Sequence, residues 1–366
     1  MDLSVVIPCL NESETIAICI EKANKQIKKL NINAEIIVSD NGSNDGSQDI
    51  AKNLGAIVSN CEVKGYGSAV INGIKNSSGK FILIADADNS YDFNDLPKFY
   101  SKINQGYDLV QGCRLPSGGG IIQKGAMPIS HRLIGNPLFT KLTKFFFGIK
   151  FNDVYCGMKI IRKSFFEKTN FFSNGMVFCL EILIKSKILG AKTEEIPIVL
   201  YKDGRINSKS HLKTIKDGLK TLKFILISSP KWMLFYPSMI FFIIFLIFIF
   251  SFFSSKISFS LTNVLFSLMS FYLSFQLFML GLFSSLRSKY LGLSKNIWLD
   301  KFFRIFSLRL SVLISTVLII FPIILYYFNS SIFENDLIKI LMSFLAFFGV
   351  SLIANSLSIS LLSLNK

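Results

Sequence analysis

Two aspartates separated by one residue, Asp86 and Asp88, end a short apolar run and are the side chains best suited to chemistry. The run, residues 81–85, predicts a strand buried on both faces. Side chains alternate along an extended chain, so both carboxylates are expected to point the same way. Carboxylate oxygens favour a hard divalent cation such as Mg²⁺ or Mn²⁺, which often also holds substrate phosphates. The pattern predicts a cation site, although a turn or a helix cap at Asn94-Asp95 would use the same residue types.

Strands that alternate with helices position this pair. The predicted strands are residues 3–8, 35–40, 56–58, 81–85, 108–112 and 195–200, with a further short one at 160–161. This order predicts βαβ units and an α/β fold with a mainly parallel sheet. The carboxyl ends of its strands carry Pro8, Asp40 and the Asp86/Asp88 pair, which makes one polar edge, and ligands of open α/β sheets bind at that edge.

Composition divides the 366 residues near position 230. Of 40 Lys and Arg residues and 24 Asp and Glu residues, only ten and three lie from residue 231 onward, where Phe, Ile, Leu and Ser dominate. Four apolar segments, about 234–253, 261–283, 308–328 and 337–362, each reach the roughly 20 residues that cross a bilayer. A net charge of +16 also suits nucleic acid, but beside apolar spans it favours anionic lipid, and no nucleic-acid motif is visible.

We therefore expect a soluble domain at 1–209, a basic amphipathic helix at 210–230 and a transmembrane domain at 231–366. The helix could lie on the bilayer or pack on the soluble domain. Connector 284–307 carries five Lys and Arg residues and connector 329–336 none, so the positive-inside rule places the soluble domain in the cytoplasm. We expect a multi-pass protein of the cell's inner (cytoplasmic) membrane. The spans lack buried charge and predict an anchor or an assembly surface for a homo-oligomer, not a pump.

Other polar residues could complete a site. Positive charge on separate loops would suit an anionic second substrate, and its candidates are Arg114, Arg132, Lys159, Arg205, Lys209 and His211. Asp153 is the best candidate for a further site carboxylate and Glu181 a weaker one, but either could instead hold a loop.

Several familiar signatures are missing. Gly65-x-Gly67 followed by Gly73 does not match a dinucleotide-binding fingerprint, and no P-loop occurs. The six cysteines have no Cys-x-x-Cys spacing and predict small core residues in a reduced compartment. The start of the chain has no basic segment and predicts no signal peptide.

An ordered set of motifs covers about residues 1–230. In chain order the motifs are Val5-Val-Ile-Pro8 with Asn11-Glu12, Asp40-Asn-Gly-Ser43 with Asp45-Gly46, Gly65-x-Gly67, Asp86-x-Asp88, Gly112-x-Arg114, His131-Arg132 and Asp153-x-x-x-Gly157. The set resembles family 2 glycosyltransferases of the polyprenyl-phosphate type, the relatives of dolichyl-phosphate mannose and glucose synthases. Residues 203–230 look like a bacterial membrane-bound branch of that family.

The resemblance implies a GT-A-type, Rossmann-like domain followed by an all-α transmembrane domain of four helices. It implies an inverting hexosyltransferase that moves a sugar from a nucleotide-diphosphate sugar to a membrane polyprenyl phosphate, for cell-envelope or glycan assembly. Alternatives are a glycolipid or polysaccharide acceptor, nucleotidyl transfer, and a non-catalytic membrane protein that binds nucleotide.

The family's site residues carry over onto matching positions. The metal would be Mg²⁺ or Mn²⁺, held by Asp86 and Asp88. The expected nucleotide-sugar residues are Pro8, Asn11, Glu12, Asp40 at the base, Asn41, Gly65 and Asp86. The expected acceptor-phosphate residues are Arg114, Arg132, Lys159, Arg205 and Lys209. Asp153 and Asp88 are the expected catalytic residues.

Two positions depart from the family pattern. Asn41 stands where a second Asp is common, and Lys159 stands where Arg is common. A lysine binds phosphate as a point charge and lacks the two-pronged contact of arginine.

Overall fold

The computed structural model describes residues 1–206, 214–254, 260–294, 298–299, 301–302 and 307–364. These form two compact units, Met1–Ile225 and Leu226–Lys366. The division falls between the boundaries predicted at 209 and 230. Residues 210–213 of the predicted amphipathic helix lie outside the described residues, and the helix is described from Thr214 to Ser228.

The first unit is built from alternating strands and helices. Its strands are β1 (Leu3–Cys9), β2 (Ala34–Asp40), β3 (Ile57–Asn60), β4 (Phe81–Ile84), β5 (Leu109–Cys113), β6 (Ile121–Ile122), β7 (Lys159–Arg162), β8 (Thr193–Pro197) and β9 (Val199–Leu200). Its helices are α1 (Ile16–Leu30), α2 (Ser47–Asn53), α3 (Tyr66–Lys75), α4 (Leu96–Asn104), α5 (Asn136–Phe147), α6 (Lys163–Glu167), α7 (Phe178–Leu189) and α8 (Thr214–Ser228).

Seven strands form one sheet in the order β3-β2-β1-β4-β7-β5-β8. Only β7 runs antiparallel to its neighbours, so the predicted mainly parallel α/β fold is confirmed. The central strands are apolar and buried, as is usual when helices cover both faces of a parallel sheet. The register pairs Cys9 with Asp40, and Val6 with Ile84 at the end of β4. The polar residues that follow these strands therefore meet at one edge.

The strand predicted at 195–200 is split in two. β8 belongs to the main sheet, whereas β9 pairs with β6 in a separate two-stranded sheet. Pro197 ends β8 and has no N–H to continue the ladder. Ile198 still donates to the Cys113 carbonyl before the chain leaves the main sheet.

The described residues of the second unit include four long apolar helices, as predicted. They are α9 (Tyr236–Phe253), α10 (Leu261–Tyr290), α11 (Leu308–Phe328) and α12 (Asp336–Leu364). Each is long and apolar enough to cross a membrane, with a mean hydropathy between 1.7 and 2.6. Polar side chains join α10 to α12, where Gln276 donates to Ser351 at 2.5 Å and Asn355 donates to Gln276 at 3.3 Å. Such interhelical hydrogen bonds stabilise helix association in lipid.

Candidate active site

A cavity of about 480 Å³ lies in the first unit, beyond the ends of β4 and β5. Asp86 and Asp88 follow β4, Arg114 follows β5, and all three line the cavity together with Arg205. Other lining residues include Tyr66, Tyr91, His131, Asn136, Phe139, Met176 and Cys179. The fold therefore brings the two aspartates predicted to bind a cation to the same cavity as two of the predicted phosphate-binding arginines.

Asp86 is the most perturbed carboxylate of this cavity. Its pKa is raised to about 7, first by burial and then by the charge of Asp88, while Lys159 and Arg114 act in the opposite direction. Its Oδ1 atom is buried and has no hydrogen-bond partner among the described residues. The Tyr66 hydroxyl also lacks one there, and burial followed by Asp86 raises its pKa well above the usual value. A buried carboxylate oxygen and a buried hydroxyl without such partners are available to bind a ligand.

The donor atoms fit a hard divalent cation. The Oδ1 atom of Asp88 accepts from the backbone N of Ser90 at 3.0 Å and from the Ser90 hydroxyl at 2.6 Å. Within the described residues no cluster of three or more His, Cys, Asp or Glu side chains could hold a metal by itself. Mg²⁺ and Mn²⁺ are commonly bound by one or two carboxylates with substrate phosphates completing the shell. Two aspartates at a cavity therefore suit a cation that arrives with a phosphorylated ligand.

Arg205 lies against Asp88, one of the two aspartates predicted to bind a cation. It donates to both oxygens of Glu12, from Nε at 2.9 Å and from Nη2. Its Nη1 is 3.4 Å from Asp88 Oδ2 and 3.5 Å from Asp203 Oδ2. Burial raises the pKa of Glu12 despite this partner. Backbone bonds from Gly204 to the Asp88 carbonyl and from Ile206 to Glu14 fasten the same segment.

Arg114 is held by Asp153 in a two-pronged ion pair. Its Nε lies 2.7 Å from Oδ2, its Nη2 lies 2.9 Å from Oδ1, and its backbone N also donates to Oδ2. Burial alone would raise the pKa of Asp153, but Arg114 more than offsets it and holds that pKa below the usual range. Asp153 is fully buried and does not line the cavity. The carboxylate predicted to be catalytic is therefore placed to orient Arg114.

A further carboxylate, that of Glu195, holds the backbone of the loop that carries Asp153. Glu195, on β8, accepts from the backbone N of Asn152 at 2.8 Å and of Asp153 at 2.9 Å. Gln111 donates to the Asp153 carbonyl. These bonds fix the loop that carries the partner of Arg114. Nothing in the sequence pattern around Glu195 pointed to this role.

The remaining predicted phosphate-binding residues are placed differently. Lys159 is fully buried in β7, donates to the Cys156 carbonyl at 2.7 Å and does not line the cavity. Its charge acts on Asp86 by lowering the pKa of that carboxyl. Arg132 is exposed in a π-helical turn, His131–Gly135, in which His131 faces the cavity. Lys209 and His211 lie outside the described residues.

The residues predicted for the nucleotide form a neighbouring group after β1 and β2. Asp40 accepts from the backbone of Gly42 and Ser43 and from Gln48 through Oδ2. Its Oδ1 is buried without a hydrogen-bond partner among the described residues. An unpaired carboxylate oxygen can accept an N–H from a nucleotide base.

Asn41, Asn11 and Pro8 shape the loops of this group. Asn41 donates to the carbonyls of Cys61 and Val63 and accepts from Gly65 N at 2.7 Å. Asn11 adopts a positive φ of 53° and accepts from Asn44 N. Pro8 lies within β1 opposite Ser39. The structure thus ties Asn41 to Gly65, two residues that the sequence placed in separate motifs.

Two tyrosines of the site were not predicted from the sequence. Tyr91 is fully buried. Its hydroxyl accepts from Gly157 N at 2.8 Å and from Arg114 Nη1 at 3.4 Å. Tyr66 lies between the two glycines of Gly65-x-Gly67, and that position was the available signal. The spacing of Tyr91 from Asp88 carried no comparable signal.

Comparison with known proteins gives the same picture. The sequence profile described as Glycosyl transferase family 2 matches residues 4–169. The chain is 34% identical over 233 residues to the Low-salt glycan biosynthesis hexosyltransferase Agl6 of Haloferax volcanii, covering 63% of this chain and 54% of the relative. It is 31% identical over 197 residues to the Dolichyl-phosphate hexose transferase of the same organism, covering 54% and 82%. It is 30% identical over 234 residues to the Dolichol-phosphate mannosyltransferase of Pyrococcus furiosus, covering 60% and 62%.

These relatives and one solved structure show the family and the fold of the chain. The chain spans about half the length of the Agl6 relative. These three relatives come from two archaeal organisms, so the bacterial branch stays a prediction. The fold is similar, at 20% identity and a TM-score of 0.50, to glucosyl-3-phosphoglycerate synthase from Mycobacterium tuberculosis solved with Mn²⁺, UDP-glucose and phosphoglyceric acid, covering 62% of this chain and 79% of that chain. The first unit has the GT-A-type fold, and with its matched profile and relatives the chain belongs to glycosyl transferase family 2.

Proposed function

We propose that this chain is an inverting hexosyltransferase that moves a sugar from a nucleotide-diphosphate sugar to a membrane polyprenyl phosphate, for cell-envelope or glycan assembly. The observation that carries the proposal is the single cavity that holds Asp86 and Asp88 together with Arg114. Both substrates are anionic. The nucleotide-diphosphate sugar needs a bound cation, and the polyprenyl phosphate needs a positively charged side chain held in a fixed position. Two relatives are named for transfer involving dolichyl or dolichol phosphate.

Asp86 and Asp88 are the residues that would hold Mg²⁺ or Mn²⁺. The bound ion supplies Lewis-acid neutralisation of the charge on the departing diphosphate. Asp40, with its unpaired oxygen, would accept from the base, and Asn41 and Gly65 would shape the wall beside it. Pro8, Asn11 and Glu12 complete that end of the nucleotide-sugar site.

The acceptor phosphate is itself the nucleophile. One of its oxygens forms the bond to the anomeric carbon while the carbon–oxygen bond to the nucleoside diphosphate breaks. A phosphate monoester is largely dianionic near pH 7, with a second pKa of about 6, so it needs orientation more than deprotonation. Arg114 supplies that orientation, and Asp153 keeps the guanidinium in place. Arg132, Arg205 and Lys209 are the further groups proposed to approach the acceptor phosphate.

An apolar surface beside the cavity suits a lipid acceptor. Ile129, Leu133 and Ile134 expose between 65% and 75% of their surface on and before the turn that carries His131. Asn136 and Phe139, on the helix that follows, line the cavity. Exposed apolar side chains next to a cavity that contains Arg114 and Arg205 would allow a membrane lipid to bring its phosphate in without leaving the bilayer.

The proposal includes a location. The basic connector at 284–307 and the connector at 329–336, which has no Lys or Arg, favour a cytoplasmic first unit in a multi-pass protein of the cell's inner membrane. A reporter fused after residue 366 should be accessible only from the cytoplasmic side. Accessibility from the outside would contradict the orientation and leave the cavity without its donor.

Product analysis of the full chain tests the reaction. Purified protein in lipid nanodiscs would be given Mn²⁺, a labelled UDP- or GDP-hexose, and either polyprenyl phosphate or a glycolipid. We expect a polyprenyl-phosphate hexose by mass and release of a nucleoside diphosphate. Release of pyrophosphate would indicate nucleotidyl transfer, a labelled glycolipid would indicate the other acceptor class, and nucleotide binding without turnover would indicate a non-catalytic protein.

Replacing Arg205 with glutamine is expected to tighten binding of Mn²⁺ with nucleoside diphosphate in the absence of acceptor by about 3- to 10-fold. The reason is that the guanidinium at 3.4 Å from Asp88 competes with the metal for the same carboxylate. Isothermal titration calorimetry measures the affinity. Lys22→Gln is the control, because Lys22 contacts Asn89 on the same segment and not Asp88. Equal effects of the two variants would contradict direct competition.

Metal binding is expected to depend on pH through Asp86. Its pKa of about 7 means that the metal-free folded protein carries a proton at pH 6 that the unfolded chain, with a pKa of about 3.9, has lost. Stability from this group is therefore present below about pH 4 and lost as pH rises through 7. Metal must displace the proton, so Mn²⁺ affinity should fall about tenfold per pH unit below 7 and level off above it. Calorimetry at pH 6 and 8 checks this, and Asp86→Asn should abolish the proton release.

A further inference from the structure

A buried ion pair lies on α7, outside the cavity. Glu181 and Lys185 are one helical turn apart, their charged atoms are 2.6 Å apart, and both side chains are at most 2% exposed. The surrounding residues of α7 are buried and mostly apolar. A buried pair of charges adds little net stability compared with apolar residues of similar volume, so its presence calls for another explanation.

The pair holds the backbone of the loop that precedes α7. Glu181 accepts from Phe172 N at 3.1 Å and from Ser173 N at 2.9 Å. Lys185 donates to the Asn170 carbonyl and lies 4.8 Å from the centre of the Phe172 ring. Residues 170–175 are therefore fixed by both members of the pair.

The fixed loop packs directly against the glycine motif beside the cavity. The Asn174 carbonyl accepts from Ser68 N at 3.1 Å. A Cβ atom on Gly65 would lie 2.2 Å from that carbonyl oxygen, and one on Gly67 would lie 2.2 Å from the Ser173 oxygen. Only glycine fits so close an approach, and Gly65 also has a φ of 130° that favours glycine. A shift of the loop would therefore move the motif.

Two residues of this glycine motif, Gly65 and Tyr66, belong to the proposed nucleotide-sugar site. Tyr66, between the glycines, lines the cavity with Asp86, and Gly65 N donates to Asn41 beside Asp40. Met176, at the other end of the fixed loop, lines the same cavity. The contacts thus run without interruption from Glu181 through residues 173–174 to Gly65 and Tyr66.

We propose that Glu181 and Lys185 are positioning residues for the donor: their ion pair fixes residues 170–175 and, through them, the Gly65-Tyr66-Gly67 wall that contacts the nucleoside diphosphate. The inference rests on the proposed function for the identity of that ligand. The pair touches neither substrate, so its effect should appear in donor binding and not in acceptor binding.

The test compares three variants of the full chain. Glu181→Gln removes one charge and leaves the charge of Lys185 buried without its partner, so this variant can fail to fold. The double variant Glu181→Gln with Lys185→Met removes both charges at similar side-chain volume. Glu35→Gln is the matched control, because Glu35 also accepts from a backbone N, that of Ser78, but stands at the start of β2, far along the strand from Asp40. Thiol-dye labelling of the six buried cysteines, all in the first unit, reports whether that unit is folded.

Donor affinity and amide exchange are the readouts. For the folded double variant we expect about tenfold weaker binding of UDP or GDP with Mn²⁺, as when a group that orients a ligating residue is lost. The donor KM should rise by the same factor with the acceptor KM unchanged, and the amides of Ser68, Phe172 and Ser173 should exchange faster. The control should show none of these effects.

Three outcomes separate the proposals. Donor affinity of the double variant within twofold of wild type would overturn the positioning role alone. Wild-type protein that binds neither UDP nor GDP would overturn the proposed function and the positioning role with it. Wild-type protein that binds nucleotide but transfers no sugar to polyprenyl phosphate would overturn the proposed acceptor and leave the positioning role to be decided by affinity.

Discussion

Replacing Asp88 with asparagine is expected to lower sugar transfer by about 10³-fold, equivalent to about 4 kcal/mol of transition-state stabilisation. The two aspartates follow β4 and both line the cavity, so loss of one removes half of the charge that this pair offers to a cation. Mn²⁺ should also bind more weakly in the presence of nucleoside diphosphate. Initial rates with labelled donor and calorimetry with Mn²⁺ give the two measurements.

Asp92→Asn is the matched control for that experiment. Asp92 lies four residues further along the same segment and accepts from Asn94 N at the start of a helical turn. Asparagine caps a helix about as well as aspartate, so this replacement should leave stability nearly unchanged and transfer within a factor of about two. A comparable loss of transfer in both variants, or undiminished transfer by the Asp88 variant, would remove the metal role from Asp88.

Replacing Asp153 with asparagine is expected to destabilise the first unit by about 3–5 kcal/mol, because it leaves the buried Arg114 charge without a partner. For a unit of this size that corresponds to a drop of about 10 °C in the unfolding midpoint. A thiol-reactive dye measures the midpoint of this unit alone, since every cysteine is buried within it and both tryptophans lie beyond residue 231. Protein that still folds should show a higher acceptor KM, because Arg114 loses its orientation.

The sign of the pH dependence gives a second check on Asp153. Its pKa is held below the usual range by Arg114 against the effect of burial, so its contribution to stability is present above about pH 4 and lost as pH falls further. The asparagine variant should lack that acid-dependent loss. Asp108→Asn is the control, because Asp108 pairs with Arg162 at 3.4 Å in a partly exposed site and should cost at most about 1 kcal/mol. Equal midpoints for the two variants would show that the Arg114 pair is not stabilising.

Local pattern was sufficient for most of the elements and for the strand that precedes Asp86 and Asp88. The apolar run forms the buried strand β4, which ends at Ile84, and both aspartates follow it and line one cavity. The alternation expected along an extended chain does not place them, because Asp88 lies in a turn. The four apolar helices of the second unit follow from length and composition in the same way. Both inferences depend on periodicity within about 20 residues, and that is information a single sequence contains.

The roles of the other charged residues depended on packing between distant parts of the chain. Arg205 and Glu12 are 193 positions apart and bond to each other, and Asp153 bonds to Arg114, 39 positions away. A carboxylate has the same chemistry in sequence whether it will activate a nucleophile or hold an arginine. Lys159 likewise has the same charge whether it faces a phosphate or, as here, the Cys156 carbonyl.

The amino-acid order by itself determined the α/β sheet, the family-like motifs at its polar edge and the four apolar helices. Only the tertiary structure decided which of the charged side chains line the cavity and which support it from behind. The physical reason is that secondary structure follows from local periodicity, whereas the partner of a buried charge is chosen by the packing of segments far apart in the chain.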